Sequence, residues 1–218
     1  MTQESTITKI EIITLYMDYV LANSENPKSV YTFAKTNNFE ETDFYKFFAS
    51  FKAIEKNIFA VFFENTIAVL NKSETYINYD SRNKLLSFYF TFFENLTANR
   101  SYVVYALNRN KNKLKSLQSL SSLKHHFTKY IEHLNIEIID FKEDKIEKFQ
   151  KKALTESAWL QLVLTIKFWI EDTSASFEKT DVFIEKSVNT SFNVIETAPI
   201  KSVIDLGKFL FKEKFKIN

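Results

Sequence analysis

Several residue types that shape folds and active sites are scarce or missing in this chain of 218 residues. Cysteine is absent, which excludes disulfide bonds, thiolate nucleophiles and cysteine metal sites. Glycine occurs once, as Gly207, and proline only as Pro27 and Pro199. Because sheet proteins rely on glycine and proline for tight turns, this scarcity favours an all-helical fold. It also excludes a glycine-rich phosphate loop, in which the ligand must approach the bare backbone.

Long hydrophobic runs and a strong net charge are missing as well. No apolar run approaches the roughly 20 residues that a membrane-spanning helix requires. The N-terminal stretch MTQESTITKI lacks the basic segment and apolar core of a secretion signal. These features predict a soluble, cytoplasmic protein. The net charge of +2 is too small to indicate nucleic-acid binding by itself.

Apolar and aromatic side chains are plentiful. Hydrophobic residues make up 45% of the chain and include 23 phenylalanines, which is enough for one or two compact domains with a real core. The spacing of these residues follows the helical period through most of the sequence. It predicts helices over about 4–23, from the entry at Pro27 to the turn at Asn37 and Asn38, from Glu40 to about Ala49, from near Phe51, over 85–96, from Arg100 into the 110s, and over 119–135, 158–170, 176–195 and 200–216.

The segment FAKTNNFEETDFYKFFASFKAI, residues 33–54, has the outline of a helix-turn-helix. Asn37 and Asn38 suit the turn, since asparagine tolerates left-handed backbone geometry. The segment resembles the TetR family of bacterial regulators at Ala34, Phe39, Tyr45, Phe48, Ser50 and Ile54. The resemblance implies an all-α, TetR-like fold: a three-helix DNA-binding domain over residues 1–52, and a larger helical domain over 53–218 for ligand binding and homodimerisation.

The start of the third helix departs from the TetR pattern. The family's turn glycine is Asn38 here, its capping serine is Glu40, and the lysine that usually follows Ser50 is Phe51. Glu40, Glu41 and Asp43 place negative charge where a recognition helix would enter the DNA groove, and Lys46 is the one nearby cation expected to offset it. Acidic residues also stabilise a helix N-terminus, so the pattern favours a retained scaffold. In the alternative, a repressor, the DNA contacts are Lys28, Thr42, Tyr45, Lys46 and Lys52.

A second segment, WIEDTSASFEKTDVFIEKSVNTSF over residues 169–192, is similar to the lipid-binding accessory protein family of ubiquinone biosynthesis. The pattern is met at Asp172, Ser174, Phe177, Thr180, Phe183, Ile184 and Val188, and it departs at Ser176, Asp181 and Ser187. This resemblance implies a hydrophobic pocket for an isoprenoid-like lipid. From the residues alone, Ser174 is expected to cap the helix that starts near Phe177, with Asp172 favouring the same terminus.

Large aromatic side chains crowd two helices that are apolar nearly all round, residues 85–96 and 158–170. Such helices must be covered on several sides, by other helices, by a partner subunit or by an apolar ligand. Core and dimer interface together account for most of these residues, and a ligand cavity is the further hypothesis. The residues predicted to line it are Phe88, Phe92, Phe93, Trp159, Phe168 and Trp169.

The last predicted helix mixes apolar residues with five lysines between Lys201 and Lys216. A basic amphipathic helix of this kind can lie on an anionic membrane surface. A terminal helix that packs on its own domain has the same pattern. Peripheral membrane contact through residues 200–217 is therefore a hypothesis beside simple packing.

Catalytic and metal-binding patterns are missing. His125 and His126 point about 100° apart on a helix, so they cannot form a metal pair spaced by one turn. No serine has the flanking glycines of a nucleophile elbow. The sequence predicts a non-enzymatic protein without cofactor or metal. The leading hypothesis is a homodimer that binds a hydrophobic, lipid-like ligand; the alternatives are a ligand-responsive repressor and a structural interaction module.

Overall fold

The computed structural model of the chain describes residues 7–109, 118–136 and 144–196. Every regular element within these ranges is a helix, which confirms the predicted all-α fold. The helices are α1 (Lys9–Asn23), α2 (Val30–Thr36), α3 (Glu41–Phe47), α4 (Phe51–Leu70), α5 (Glu74–Ile77), α6 (Ser81–Ala98), α7 (Arg100–Asn108), α8 (Ser121–His133), α9 (Asp144–Glu171) and α10 (Glu178–Glu196), with a 3-10 turn at Ala175–Phe177 before α10.

Helix α9 is about twice as long as the sequence pattern predicted. The prediction began it at residue 158, whereas the helix begins at Asp144 and takes in the charged stretch before it. Lysine, glutamate, glutamine and alanine are good helix formers, and Glu147 forms an ion pair of 2.6 Å with Lys151 one turn later. The predicted helix over 200–216 and the predicted continuation of α7 into the 110s lie outside the described residues. The structure therefore does not test these predictions.

The chain divides into two compact units. Unit 1 consists of Met1–Val69 with Thr91–Phe127, and unit 2 of Leu70–Phe90 with Thr128–Asn218. The divisions fall inside α4, α6 and α8, so a unit here is a cluster of contacts and not a stretch of chain. The domain boundary that the sequence places after residue 52 stays a prediction.

The first helices of unit 1 have well-formed ends. Thr8 and Glu11 make a capping box at the start of α1, in which each side chain accepts from the other residue's backbone N–H. Ser29 caps α2 by accepting from the N–H of Thr32 at 3.1 Å. Between α2 and α3, Asn38 has a φ of 57°, which confirms the left-handed turn predicted there. These local signals define the helix-turn-helix.

The core of the helix-turn-helix is a cluster of aromatic rings around Phe33. Its ring meets those of Tyr16, Phe39, Phe44 and Phe51 edge-on, with centroids 5.6 to 6.5 Å apart. All but Phe51 are buried. Edge-to-face pairs add to the free energy of area burial, so Phe33 holds the three helices and the start of α4 together.

Unit 2 joins its helices through a tyrosine pair and an apolar seam. The hydroxyls of Tyr76 and Tyr130 lie 3.0 Å apart, and the Tyr130 hydroxyl also donates to the carbonyl oxygen of Lys84. Apolar side chains of α9 and α10 are fully buried, among them Trp169 and Val188. This packing fixes the α9–α10 pair on which the candidate site depends.

Asp172 organises the turn between α9 and α10. Its carboxylate accepts four hydrogen bonds of 2.7 to 2.9 Å, two from Ser174 and two from Thr180, each through the backbone N–H and the hydroxyl. Ser174 does not cap the 3-10 turn at Ala175–Phe177 that follows it, and its hydroxyl oxygen accepts instead from the N–H of Lys179 in the first turn of α10, at 3.2 Å. The turn carries left-handed φ angles at Ser176 and Phe177, which the Asp172 bonds hold in place.

Candidate functional site

An open groove of about 810 Å³ lies in unit 2 along α9 and α10. Its volume is in the range of known small-molecule sites, roughly 300–1,000 Å³. Most of the lining is aliphatic. The aliphatic side chains of the lining include Leu85, Ile131, Leu154, Leu160, Leu164 and Val194.

Three large aliphatic side chains of the groove remain uncovered. Leu160, Leu164 and Val194 are 57%, 49% and 46% exposed. Leu160 and Leu164 are one helical turn apart and therefore share a face of α9. Single exposed apolar residues are ordinary, but several that line one cavity mark a place where something apolar binds.

A polar bridge between α9 and α10 crosses the groove. The Gln161 side-chain amide donates to the Ser187 hydroxyl at 3.2 Å, and the Ser191 hydroxyl donates to the Gln161 carbonyl oxygen at 3.0 Å. Ser187 itself donates to the carbonyl oxygen of Ile184. These bonds give Gln161, Ser187 and Ser191 hydrogen-bond partners within the protein, so the bridge stabilises the helix pair without burying these side chains unpaired.

Gln150 differs from Gln161 in its hydrogen bonding. Its carboxamide oxygen is shielded from solvent and accepts no hydrogen bond from the residues that the structure describes. A buried acceptor without a donor costs free energy, which would be recovered if the side chain turned its oxygen toward a donor on a bound molecule. Lys186 is exposed and also lines the groove, where it supplies a cation. The groove thus combines an apolar body with a few polar groups.

The six aromatic residues predicted to bind ligand are placed elsewhere. Phe88, Phe92, Phe93 and Trp169 are buried in the packing of their units, and Trp159 and Phe168 are half-buried. Phe168 stacks on Phe183 at 4.7 Å. None of the six is among the lining residues of the groove, and their role in ligand binding stays a prediction.

Sequence reasoning missed the leucines of α9. The signal was present, because residues 158–170 are apolar nearly all round, and a helix of this kind has more apolar faces than its own unit can cover. The prediction of ligand-binding residues was limited to aromatic side chains. On α9, however, Trp169 and Leu162 face the interior, while Leu160 and Leu164 face outward. The two sets alternate along the same helix.

The helix-turn-helix surface carries paired charges. Lys46 forms an ion pair with Asp43 at 2.6 Å, and Lys35 forms one with Glu40 at 3.1 Å. The prediction of Lys46 as the one offsetting cation was therefore wrong, because the turn between α2 and α3 also brings Lys35 to Glu40. Of the three acidic residues Glu40, Glu41 and Asp43, Glu41 has no lysine partner among the described residues, and its carboxylate accepts from the Tyr45 hydroxyl at 3.4 Å. The side chains predicted to contact DNA are all exposed: Lys28, Thr42, Tyr45, Lys46 and Lys52.

Metal-binding clusters and membrane-spanning helices are missing from the part of the chain that the structure describes. The described ranges contain no group of three or more His, Asp or Glu side chains that could hold a metal ion. Nor does any helix within residues 7–109, 118–136 and 144–196 combine the length and apolarity needed to cross a membrane.

Comparison with known proteins identifies a family for the C-terminal part of the chain. No curated protein matches the chain, so the similarity to the ubiquinone-biosynthesis family is not shown and stays a prediction. Residues 84–210, more than half of the chain, match the family described as "Tetracyclin repressor-like, C-terminal domain". The match covers every groove residue named above, confirms the TetR-like fold, and indicates a ligand-binding regulatory protein. The chain belongs to the tetracyclin repressor-like family.

Proposed function

We propose that the protein is a non-enzymatic, TetR-like regulator that binds a hydrophobic, lipid-like molecule in the groove along α9 and α10. The observation that carries the proposal is the exposure of Leu160, Leu164 and Val194 on one cavity of about 810 Å³. Burying these side chains is favourable by roughly 25 cal/mol per Å² of apolar surface. A ligand with an apolar chain gains this energy along the whole groove.

The polar groups of the groove define the rest of the ligand. The Gln150 oxygen has no donor among the described residues and is shielded from solvent, so a hydroxyl or amide on the molecule would donate to it once the side chain turns toward the groove. Lys186 favours a neutral or acidic polar end over a basic one. An isoprenoid alcohol or a fatty acid has this combination of a long apolar chain and one polar end.

A second copy of the chain is the competing occupant of the groove. The same exposed leucines could pack against a partner subunit, and we include a homodimer in the proposal because the family match is compatible with dimerisation. Ligand binding and dimerisation have different signatures. A bound ligand adds mass to each protomer, whereas the fraction of protein that is dimeric rises with protein concentration.

The experiment measures binding of farnesol and palmitate by native mass spectrometry, after gentle purification that preserves any co-purified lipid. We expect a bound apolar molecule on the wild type. The double variant Leu160→Ser with Leu164→Ser should bind at least about tenfold more weakly, because it removes two apolar contacts. Both side chains are exposed, so the fold should survive.

The matched control is Val182→Ser. Val182 is 48% exposed on α10 and does not line the groove, so this variant should bind like the wild type. Sedimentation velocity on the same samples gives the oligomeric state. Loss of dimer in the leucine variant, with no lipid on any sample, would assign the groove to the subunit interface and reject the ligand.

A second candidate is a ligand-responsive repressor that binds DNA through residues 28–52. The specific observation in its favour is the pairing of Asp43 and Glu40 with lysines, which lowers the repulsion from phosphates that the sequence predicted. Selection of bound duplexes from a random pool, followed by a mobility-shift assay, tests it. A specific duplex whose binding is weakened by Thr42→Ala would establish this function.

Membrane contact through residues 200–217 stays a prediction of the sequence. Flotation with vesicles of phosphatidylglycerol and phosphatidylcholine tests it. Protein that remains at the bottom of the gradient would contradict it.

A further inference from the structure

Unit 1 has a cavity of its own, of about 320 Å³, whose lining is much more polar than that of the groove. It is built from α1, the segment after α1, α4 and α7. Charged and hydrogen-bonding side chains dominate its lining. They include Tyr16, Lys52, Glu55, Lys56, Tyr102 and Arg109.

Glu55 already accepts hydrogen bonds from groups inside the cavity. Its Oε1 atom accepts from the Arg109 guanidinium at 2.8 Å and from the Tyr16 hydroxyl at 2.8 Å. The side-chain amide of Asn26 adds a third bond at 3.2 Å. Burial and then the Glu55 carboxylate raise the pKa of Tyr16, so this hydroxyl remains a donor. The negative charge of Glu55 is thus balanced by Arg109.

Two lysines leave the cavity with excess positive charge. Lys52 and Lys56 both line it, and neither forms an ion pair within the parts of the chain that the structure describes. They are four residues apart on α4, where like charges on one face repel each other. With Arg109 and Glu55 in balance, the excess is two positive charges.

The position of Lys52 is unfavourable for α4 itself. Lys52 lies in the first turn of this helix, where the helix dipole disfavours a cation, and this turn contains no acidic residue. Lysines chosen for helix stability alone would lie near the other end. A residue that breaks a local rule without structural gain is expected where it serves a ligand.

We propose that this cavity binds a small organic anion, with a phosphate or carboxylate group held by Lys52 and Lys56. Both groups offer the acceptor oxygens that form strong, charge-assisted hydrogen bonds with ammonium donors. The aromatic rings of Tyr102 and Tyr105 supply the walls for the rest of the molecule. The volume admits a compact metabolite and not a macromolecule.

The site would act directly on the helix-turn-helix. Arg109 at the end of α7 binds Glu55 of α4 and, at 2.7 Å, the side-chain oxygen of Asn26 between α1 and α2. An anion held by Lys52 and Lys56 on α4 lies in a cavity that residues of α1 and α7 also line, so it binds best when these helices enclose that cavity. Its binding energy therefore favours one placement of α1 and α4 relative to α7.

Isothermal titration with inorganic phosphate, phenyl phosphate and benzoate, at low ionic strength, tests the proposal on the full chain. We expect measurable binding, tighter for phenyl phosphate than for inorganic phosphate because only the former has a body to meet the tyrosine rings. Lys56→Gln should weaken it by at least about tenfold, as expected for loss of a charge-assisted bond. Lys52→Gln should weaken it less, since Lys52 is the more exposed of the two.

The control is Lys72→Gln, an exposed lysine just after α4 that does not line the cavity. Equal weakening by this variant would show non-specific attraction and overturn the proposal. So would the absence of heat with all three probes at millimolar concentration. If only duplex DNA binds, and Lys52→Gln and Lys56→Gln weaken it, the lysines contact the nucleic-acid backbone and the anion site is rejected. The farnesol and palmitate assay does not depend on either lysine, so the two proposals fail separately.

Discussion

The helix-turn-helix and the α9–α10 pair both expose large apolar side chains, but they arrange them differently. In the former the exposed residues include Tyr31 and Tyr45, whose hydroxyl tips suit contact with water. In the latter Leu160, Leu164 and Val194 have no polar tip and line one cavity. Contiguity therefore distinguishes a binding surface from ordinary exposure better than the amount of exposure does.

The polar side chains of the two regions differ as well. Ion pairs on the helix-turn-helix connect neighbours in sequence, such as Asp43 and Lys46, at the surface. The polar bonds of the α9–α10 pair connect two helices, as Gln161 does with Ser187. Local surface pairs contribute little to stability, whereas partly buried bonds between helices fix their relative position. The first region tolerates changes of charge that the second would not.

The largest effect is expected from Phe33→Ala. Phe33 is buried at the centre of the helix-turn-helix and meets several aromatic rings, so its loss leaves a cavity that those rings cannot fill. The free energy of unfolding should fall by about 3–5 kcal/mol. Urea denaturation followed by circular dichroism measures it.

Tyr31→Ala is the control for Phe33→Ala. Tyr31 is on the same helix and 57% exposed, and its truncation should change the free energy of unfolding by less than about 1 kcal/mol. Similar losses for the two variants would mean that the cluster around Phe33 does not hold the helices together.

The next effect is expected from Asp172→Asn, in the turn before α10. Hydrogen bonds from Ser174, and after them those from Thr180, hold the pKa of Asp172 well below its usual value, despite the opposing effect of burial. A carboxylate with a lowered pKa stabilises the folded state above its unfolded pKa, near 4, and this contribution is lost as the pH falls toward the folded pKa. The variant should therefore have a lower Tm at pH 7, and the difference from the wild type should shrink below pH 4.

Asp181→Asn, on α10, tests a carboxyl group whose pKa is shifted in the opposite direction. Burial, and then the charges of Asp172 and Glu178, raise the pKa of Asp181. Its ionisation opposes folding at neutral pH, so the variant should have an unchanged or slightly higher Tm at pH 7. Melting curves from pH 3 to 7 compare the two. A lower Tm for Asp181→Asn at pH 7 would contradict the assigned directions.

The helix-turn-helix was predicted more closely from sequence than the groove. Asn38 in the turn and Phe51 at the start of α4 are where the pattern places them, because turn chemistry and capping act within a few residues. The faces of α9 could not be assigned in this way. Its apolar residues surround the helix, and which of them stay uncovered depends on what α10 and α6 present to it, which no local pattern records.

A smaller effect on stability is expected from substituting the two glutamines of the groove, Gln161 and Gln150, and the two substitutions should differ. Gln161→Ala removes the two bonds that join α9 to α10 and should lower the free energy of unfolding by about 1–2 kcal/mol. Gln150→Leu removes a shielded acceptor that has no donor among the described residues, so it should leave stability unchanged or raise it. The same variant should weaken binding of a ligand that has a hydroxyl. If Gln150→Leu is the more destabilising of the two variants, the Gln150 oxygen has a structural hydrogen-bond partner in the wild type and is not available to a ligand.

The smallest effect on stability is expected from charge changes on α3. Lys46→Ala breaks the ion pair with Asp43, yet the lysine is 56% exposed, so the free energy of unfolding should change by less than about 1 kcal/mol. It leaves Asp43 unpaired and makes the surface more acidic, whereas Asp43→Asn leaves Lys46 unpaired and makes it more basic. If this surface meets DNA, the two variants should shift duplex affinity in opposite directions, and the shifts should shrink as salt is added because they are electrostatic. Equal affinities for both variants in a fluorescence anisotropy titration would show that α3 does not approach the phosphates. Regulation by this protein would then have to act through the groove and the molecule or subunit that occupies it.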